Sequence, residues 1–386
     1  MVRNLERVYQ AAGIPIELLI NNWEDVRVRT LPSGTHKLRL TIFGSFSLDG
    51  ILKALILAPR TLFRTYKMLN SSGATGIYFH YPSTDALGTM ILKKLGLFSG
   101  RVALCFHGTD VRAPSNAFEA AIWRWMFNRA DGITTCSKSL AIDVERIFDV
   151  PNDRISVVYN GVDTKIFSPA PREVGPEQVF PGKYIVSVGS FIPRKGHRYL
   201  LNAFGKVAQR HQHFGLVIVG GDGEERAPLQ AWIDEHGFGD RIKLLVGLTP
   251  AGVAEVVKGA VMCVQPSIAE PFGMAVIEAG ACGVLVAASA VGGHVELIEH
   301  GKTGLLFEPE DTESIAMLLE AYFKNPTNFK EPTVRFREQI LQQFTWESCV
   351  EKYNEVIGIK LVPLHRGFDG MGVGRAQDGQ GFGLDQ

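Results

Sequence analysis

From Tyr184 onward the chain alternates short apolar runs with longer amphipathic stretches, and this alternation leaves few folds open to it. The runs "YIVSVG", "GLVIVGG", "IKLLVG", "MCVQP", "VLVAAS" and "TGLLF" read as buried parallel strands. Between them lie stretches such as "KGHRYLLNAFGKVAQRH", where Leu200, Leu201, Phe204, Val207 and Ala208 share one helical face. Such alternation specifies an α/β fold built on a doubly wound parallel sheet. The first half repeats it less cleanly, through "IELLINN", "GIYFH", "RVALCFHG", "GITTCS" and "RISVVYNG". Two domains of one architecture are therefore expected to face each other, over residues 1–168 and 184–357. The stretch 169–183, rich in Pro, Gly and charge, reads as the linker. The tail 358–386 holds eight glycines without apolar periodicity and is expected to be disordered.

Charge and cysteine usage narrow the function classes. Lys plus Arg equals Asp plus Glu at 40 each, which gives no reason to expect nucleic acid as a partner. The halves differ: residues 1–168 carry 20 basic and 14 acidic side chains, a net +6, and the remainder carries the opposite charge. That asymmetry suits an acidic acceptor or an anionic membrane face meeting the first half, and chance produces it as readily. Cys105, Cys136, Cys263, Cys282 and Cys349 form no CxxC pair and sit mostly in apolar runs, the pattern of reduced thiols in a cytoplasmic protein. No run approaches the roughly 18 apolar residues of a membrane span, and Glu6 and Arg7 interrupt any signal-peptide pattern.

The segment "QPSIAEPFGMAVIEAGACG", Gln265 to Gly283, places Glu270 and Glu278 in otherwise apolar or turn-forming surroundings. One reading lets both carboxylates reach solvent from a helix edge. In the other they are ligands in a cleft. A helix starting near Phe272, after a strand and a turn through Ser267, Glu270 and Pro271, would present unpaired N–H groups and a positive dipole end to an anion such as a diphosphate. Gly273 would let the ligand approach that backbone, and the two carboxylates would accept hydrogen bonds from sugar hydroxyls on either side of it.

This segment, with "ASAVGGHVELIEHGKTGLLFEPED" after it, resembles the donor-binding signature of the family 4 glycosyltransferases, over roughly residues 75–358. The resemblance implies the GT-B fold, in which two facing Rossmann-like doubly wound domains enclose a cleft. It implies transfer of a sugar from a UDP- or GDP-sugar to an unidentified acceptor, with retention of configuration and no required metal or cofactor, in polysaccharide or glycolipid synthesis. By that resemblance Glu270 holds hydroxyls of the transferred sugar, Glu278 holds the ribose hydroxyls, and Phe272, Gly273 and Met274 belong to the donor-binding signature. Lys195 matches the diphosphate-binding lysine. Ser190 stands after Gly189 where the family often has arginine, and Arg194 is the candidate substitute. Gly221, in "VGGDGEER", matches the family's glycine-rich turn. On the first half, His107 with Gly108 and Asp110 in "HGTD" resembles the acceptor-side motif, and "VVYNGVDTKIF", with Asn160, Gly161 and Asp163, the turn that closes the first domain. Read without the family, a histidine at a strand end is more often a satisfied core residue. No Asp-x-Asp follows a strand end to hold Mg²⁺ on the diphosphate. The rival readings are a GT-B sugar-nucleotide epimerase, a non-catalytic nucleotide-sugar binder and, least, a nicotinamide dehydrogenase, for which no G-x-G-x-x-G follows a strand.

Two features depart from the pattern. The chain begins in a helical pattern through Leu5, Val8, Tyr9 and Ala12, without the family's first strand and glycine turn, so the true start is expected upstream; a chain that began here would be expected to be a weak or inactive enzyme. Second, Ser47 to Leu69 sets Leu52, Leu55, Ile56, Leu62 and Phe63 among Lys53, Arg60, Arg64 and Lys67. Core packing is the commoner explanation and membrane-surface contact the alternative, with Pro59 expected to break the helix.

Overall fold

In a computed structural model of the chain, the residues described are 2–12, 14, 16, 19–21, 29–30, 36–38, 40, 42, 47–169 and 180–358. Most of the linker and all of the tail beyond residue 358 lie outside them.

Among the described residues the second half forms one six-stranded, wholly parallel sheet. The first half contributes a parallel four-stranded sheet and a separate three-stranded one. The three-stranded sheet pairs β1 (Leu19–Asn21) in parallel with β3 (His36–Leu38), which pairs antiparallel with β2 (Arg29–Thr30). The four-stranded sheet runs in sequence order: β4 (Gly76–His80), β5 (Arg101–Phe106), β6 (Gly132–Thr135) and β7 (Ile155–Val157). In register Ile77 sits beside Val102 and Cys105 beside Thr134. The helices of this half are α1 (Val2–Ala11), α2 (Leu48–Ser72), α3 (Ala86–Lys94), α4 (Ala117–Phe127) and α5 (Lys138–Phe148).

The second half begins with β8 (Lys183–Val188), then α6 (His197–Ala208), β9 (Phe214–Gly220), α7 (Arg226–Glu235), β10 (Ile242–Val246) and α8 (Pro250–Gly259). It continues through β11 (Met262–Gln265), α9 (Met274–Ala281), β12 (Leu285–Ser289), α10 (His294–Leu297) and β13 (Leu305–Phe307). Spatial order is β10-β9-β8-β11-β12-β13. The chain thus starts at a central strand, winds outward one way, then returns to wind the other. β8 and β11, neighbours in space, send their following loops to opposite sides, and a crevice opens between those loops. Each of the six apolar runs identified in this half overlaps one of these strands. The β8 residues Tyr184, Ile185 and Val186 are fully buried, as parallel strands covered on both faces must be.

Three helices close the chain: α11 (Thr312–Lys324), α12 (Lys330–Gln343) and α13 (Trp346–Ile357). α13 leaves the second half and packs on β5, β6 and α1 of the first, burying Trp346, Val350, Tyr353 and Ile357 with Leu5, Val8 and Tyr9. Division by sequence at 184–357 put this helix with the second half, because an apolar face does not disclose its partner. Gly161 touches the backbone where α13 begins: a Cβ there would lie 2.2 Å from the Trp346 nitrogen.

α2 corrects one expectation. It is a single helix of 25 residues that passes through Pro59 unbroken, capped by the Ser47 side chain on the Gly50 N–H and ended by Gly73 at φ 62°. Pro59 lies on the exposed side, where water can satisfy the carbonyl that loses its partner. No described helix is long and apolar enough to cross a membrane. All five cysteines are buried free thiols.

Asn354 joins α13 to the first half. Its Oδ1 accepts from the Tyr9 hydroxyl at 3.0 Å and the Tyr78 hydroxyl at 2.8 Å, while its amide donates to Val350 O at 2.8 Å. Asn354→Leu would leave two largely buried hydroxyls without an acceptor, so urea unfolding should show a loss of about 2–4 kcal/mol. A loss below about 0.5 kcal/mol would mean that the hydroxyls are satisfied elsewhere.

Candidate active site at the strand-order reversal

The loops that follow β8 and β11 meet at a buried ion pair. Lys195, in the single 3₁₀ turn Pro193–Lys195, places Nζ 2.5 Å from Glu270 Oε2, and Ser267 donates its hydroxyl to the same oxygen at 3.3 Å. Burial alone would raise the Glu270 pKa. Lys195, then His294 and, behind them, Arg194 outweigh that and hold it below the usual carboxylate range. The Lys195 stem lies along Gly189, where a Cβ would sit 3.1 Å from its Cδ. His197 is buried beneath, with Nε2 3.2 Å from Gly189 O and Nδ1 3.3 Å from Ser187 Oγ. The loop after β8 is therefore tied to its own strand end. Arg194 ties it to the other loop, its carbonyl accepting from the Ile268 N–H at 2.8 Å.

Helix α9 starts at Met274, two residues later than its sequence suggests, with Gly273 as N-cap at φ 113°. A side chain at Gly273 would be strained and would stand 2.9 Å from the His294 ring. Glu278 follows on the second turn. Burial pushes its pKa up to about 7. Met274 is half-buried against two apolar clusters. The ring of Phe272 is turned into the core against Tyr159 and Phe344, centroids 6.0 and 6.3 Å away, so its side chain packs the fold and only its backbone belongs to the loop. Gly221 lies against the Ser190 hydroxyl, 2.9 Å from where its Cβ would be.

The first half reaches the same loop at Gly108. At φ 117° it seats against Pro271, where a Cβ would fall 2.3 Å from the Pro271 Cγ. Asp110 folds the turn by accepting the backbone N–H groups of His107 at 3.0 Å and Gly108 at 2.7 Å. His107 itself is only 8% exposed. The family resemblance implies a histidine that points across the cleft, whereas this ring is sandwiched by neighbours that sequence reasoning missed. Its Nε2 lies 3.1 Å from His80 Nδ1, and the Tyr81 ring covers it at 4.6 Å between centroids. Its Nδ1 has no hydrogen-bond partner among the described residues. Burial, and after it His80, lowers the His107 pKa well below the usual range, and burial lowers that of His80 to about 4. Both imidazoles are neutral near pH 7. Tyr81 holds φ at 55°, uncommon for a bulky side chain, in the turn directly after β4.

A further unanticipated contact joins the halves. Glu296, in α10, accepts the N–H groups of Lys138 at 2.9 Å and Ser139 at 2.8 Å, the first two of α5, and the Tyr159 hydroxyl at 3.1 Å. Ser137 takes the Leu140 N–H of the same helix end. The structure thus brings Glu270, Lys195, Arg194 and Gly189 together, sets His107, Gly108 and Asp110 across from them, and places Glu278 one helix segment further along. Among the described residues no three His, Cys, Asp or Glu side chains cluster as a metal site.

Comparison with known proteins identifies relatives of the chain. The profile of glycosyl transferases group 1 matches residues 177–342, and that of glycosyltransferase family 4 matches residues 1–166. An uncharacterized glycosyltransferase of Methanocaldococcus jannaschii is 28% identical over 61% of this chain, which spans only 61% of its length. The alpha-maltose-1-phosphate synthase of Mycolicibacterium smegmatis is 29% identical over 74% of this chain and 79% of its own. Among solved structures, an Anabaena protein in complex with UDP and glucose superposes with a TM-score of 0.66 at 18% identity, covering 92% of this chain and 88% of its own. At that identity the likeness establishes a shared fold.

The raised pKa of Glu278 has a sign that can be tested. The folded state keeps the proton up to about pH 7, whereas the unfolded chain releases it near the ordinary 4.5. Folded stability from this group therefore falls as pH rises from about 4.5 to 7. Glu278→Gln removes that loss, so its stability advantage over the parent should grow by about 2–3 kcal/mol between pH 5 and pH 8. A pH-independent difference in denaturation midpoints would show that Glu278 ionises normally.

Proposed function

The chain belongs to family 4 of the glycosyltransferases, and from that premise we propose that it transfers a sugar from a nucleoside-diphosphate sugar, UDP- or GDP-linked, to an acceptor hydroxyl bound mainly by the first half. One observation carries the reading: the Lys195–Glu270 pair at the reversal of strand order, beside the N-terminus of α9. That arrangement offers cationic and N–H groups to a diphosphate and a carboxylate to sugar hydroxyls. The Anabaena protein of the same fold was solved with UDP and glucose bound.

In this reading the incoming diphosphate takes Lys195, with Arg194 and the α9 N-terminus, and the donor sugar takes the hydrogen-bonding capacity of Glu270. As the glycosidic C–O bond breaks, negative charge grows on the leaving phosphate, and the preorganised cations stabilise it without solvent reorganisation. Glu278, further along α9, accepts the ribose hydroxyls. His107, neutral by burial, acts as a hydrogen-bonding group rather than a cation. Attack from the face the phosphate leaves, with a phosphate oxygen accepting the acceptor's proton, gives retention. The charge of the leaving group is met by Lys195, Arg194 and the helix end, which is why no metal is needed in the scheme.

Calorimetric titration with UDP- and GDP-sugars tests this. The expected result is binding of one donor class with or without Mg²⁺. Lys195→Met, which keeps the packed stem but removes the charge, should weaken binding about 10- to 100-fold, and Glu270→Gln should weaken nucleotide-sugar binding more than binding of the bare nucleotide diphosphate. Unchanged affinity in both variants would remove the ion pair from the donor site, and an inverted anomer in an NMR time course would refute retention.

A further inference from the structure

Helix α2 turns four large apolar side chains to solvent. Leu52, Leu55, Ile56 and Phe63 are 62%, 68%, 77% and 65% exposed, and their helical spacing puts them in one stripe with exposed Pro59. The opposite face, with Ala54, Thr61, Thr65 and Leu69, is buried. Scattered exposed leucines are ordinary, whereas a contiguous stripe marks an interaction surface.

Charge along the stripe identifies the partner. Exposed Lys53, Arg60 and Lys67 follow one flank of it, with Arg64 half-buried among them and its Nη1 withdrawn from solvent, and no acidic residue occurs from Gly50 to Thr84. Position adds a direction. A Cβ at Gly88, in the first turn of α3 just past the carboxyl end of β4, would lie 3.7 Å from the Leu62 side chain. The segment Leu48 to Leu62 therefore extends about 20 Å past that level, toward the side on which the candidate site opens.

An apolar stripe edged by cations of one sign fits the boundary between lipid headgroups and acyl chains, where apolar side chains enter and ammonium and guanidinium groups stay level with phosphate. We propose that α2 docks the chain on an anionic lipid bilayer, inserting Leu52, Leu55, Ile56 and Phe63 and setting its basic flank against the headgroups. The proposal is independent of the donor site and of the transfer reaction.

Co-sedimentation of the full chain with phosphatidylcholine vesicles, with and without phosphatidylglycerol, tests it. Binding is expected to the anionic vesicles at low salt and to weaken as salt rises. Leu55→Ser with Ile56→Ser and Phe63→Ser should cut partitioning at least about tenfold with an unchanged thermal melt, because these side chains are exposed. Arg60→Gln with Lys67→Gln should cost roughly fivefold per charge and flatten the salt dependence. The proposal fails if the parent does not bind anionic vesicles at low salt, or if the serine variant binds as well as the parent. It fails also if the parent is a lipid-independent dimer that the serine substitutions dissociate, which would assign the face to a second copy.

Discussion

Two carboxylates are withdrawn from water within nine residues of each other, and the site's electrostatics follow from their unequal treatment. Glu270 meets the Lys195 ammonium at 2.5 Å and stays ionised. Glu278 has burial as its dominant influence and is pushed up to about 7. A buried ion pair contributes little net stability, since desolvation offsets the Coulomb gain, while an isolated buried carboxylate is a cost. Neither arrangement is what packing alone would select. Both suit the proposed donor site, where a bound anion would replace Glu270 as the partner of Lys195 and ligand hydroxyls would solvate Glu278.

That poise requires the loop from Pro266 to Gly273 to be rigid, and its neighbours hold it mainly by backbone. Gly292 comes so near that a Cβ would lie 2.0 Å from the Glu270 carbonyl oxygen, and the Gly293 N–H donates to that oxygen at 2.9 Å. The Ser289 hydroxyl donates to Ser267 O at 2.5 Å. His294 packs against Gly273 with Nδ1 3.0 Å from Ser289 O. So the "VGG" after β12 and the glutamates after β11 form one mechanical unit, which explains why the resemblance rests on both stretches.

The strands of the second half were legible because parallel strands buried on both faces are continuous apolar runs, and the pairing partners of such runs do not affect the pattern. Glu270 and Glu278 were legible because charge in an apolar run is costly and therefore informative, whereas Lys195 was legible only through the family resemblance. His80, Tyr81 and Glu296 were not. Their roles arise only when β4 lies beside β5 and α10 reaches α5, contacts separated by 27 residues for His80 and His107 and 158 for Lys138 and Glu296. α2 misled for a different reason: Pro59 stops an isolated helix, but on a solvent face the lost hydrogen bond is replaced by water while Ala54, Thr61 and Thr65 anchor the turns around it. Phe272 sat beside ligand-like residues in sequence, yet its ring fills the seam between the halves.

The distribution of contacts separates what is preformed from what is assembled. Lys195, Arg194, Glu270, Glu278 and the α9 N-terminus all belong to the second half and are fixed by hydrogen bonds within it. The first half meets them through Gly108 on Pro271 and through Glu296, whose carboxylate occupies N–H groups at the start of α5. Separating the halves would leave those N–H groups and the Tyr159 hydroxyl without that acceptor, a cost water can largely repay at an exposed helix end. α13 follows the second half in sequence and packs on β5, β6 and α1 of the first, so it ties the two halves together. In the proposed reading the groups offered to the donor therefore come from the second half alone, whereas the neutral His107, covered by Tyr81, belongs to the first half, which meets the donor loop at the Gly108–Pro271 contact.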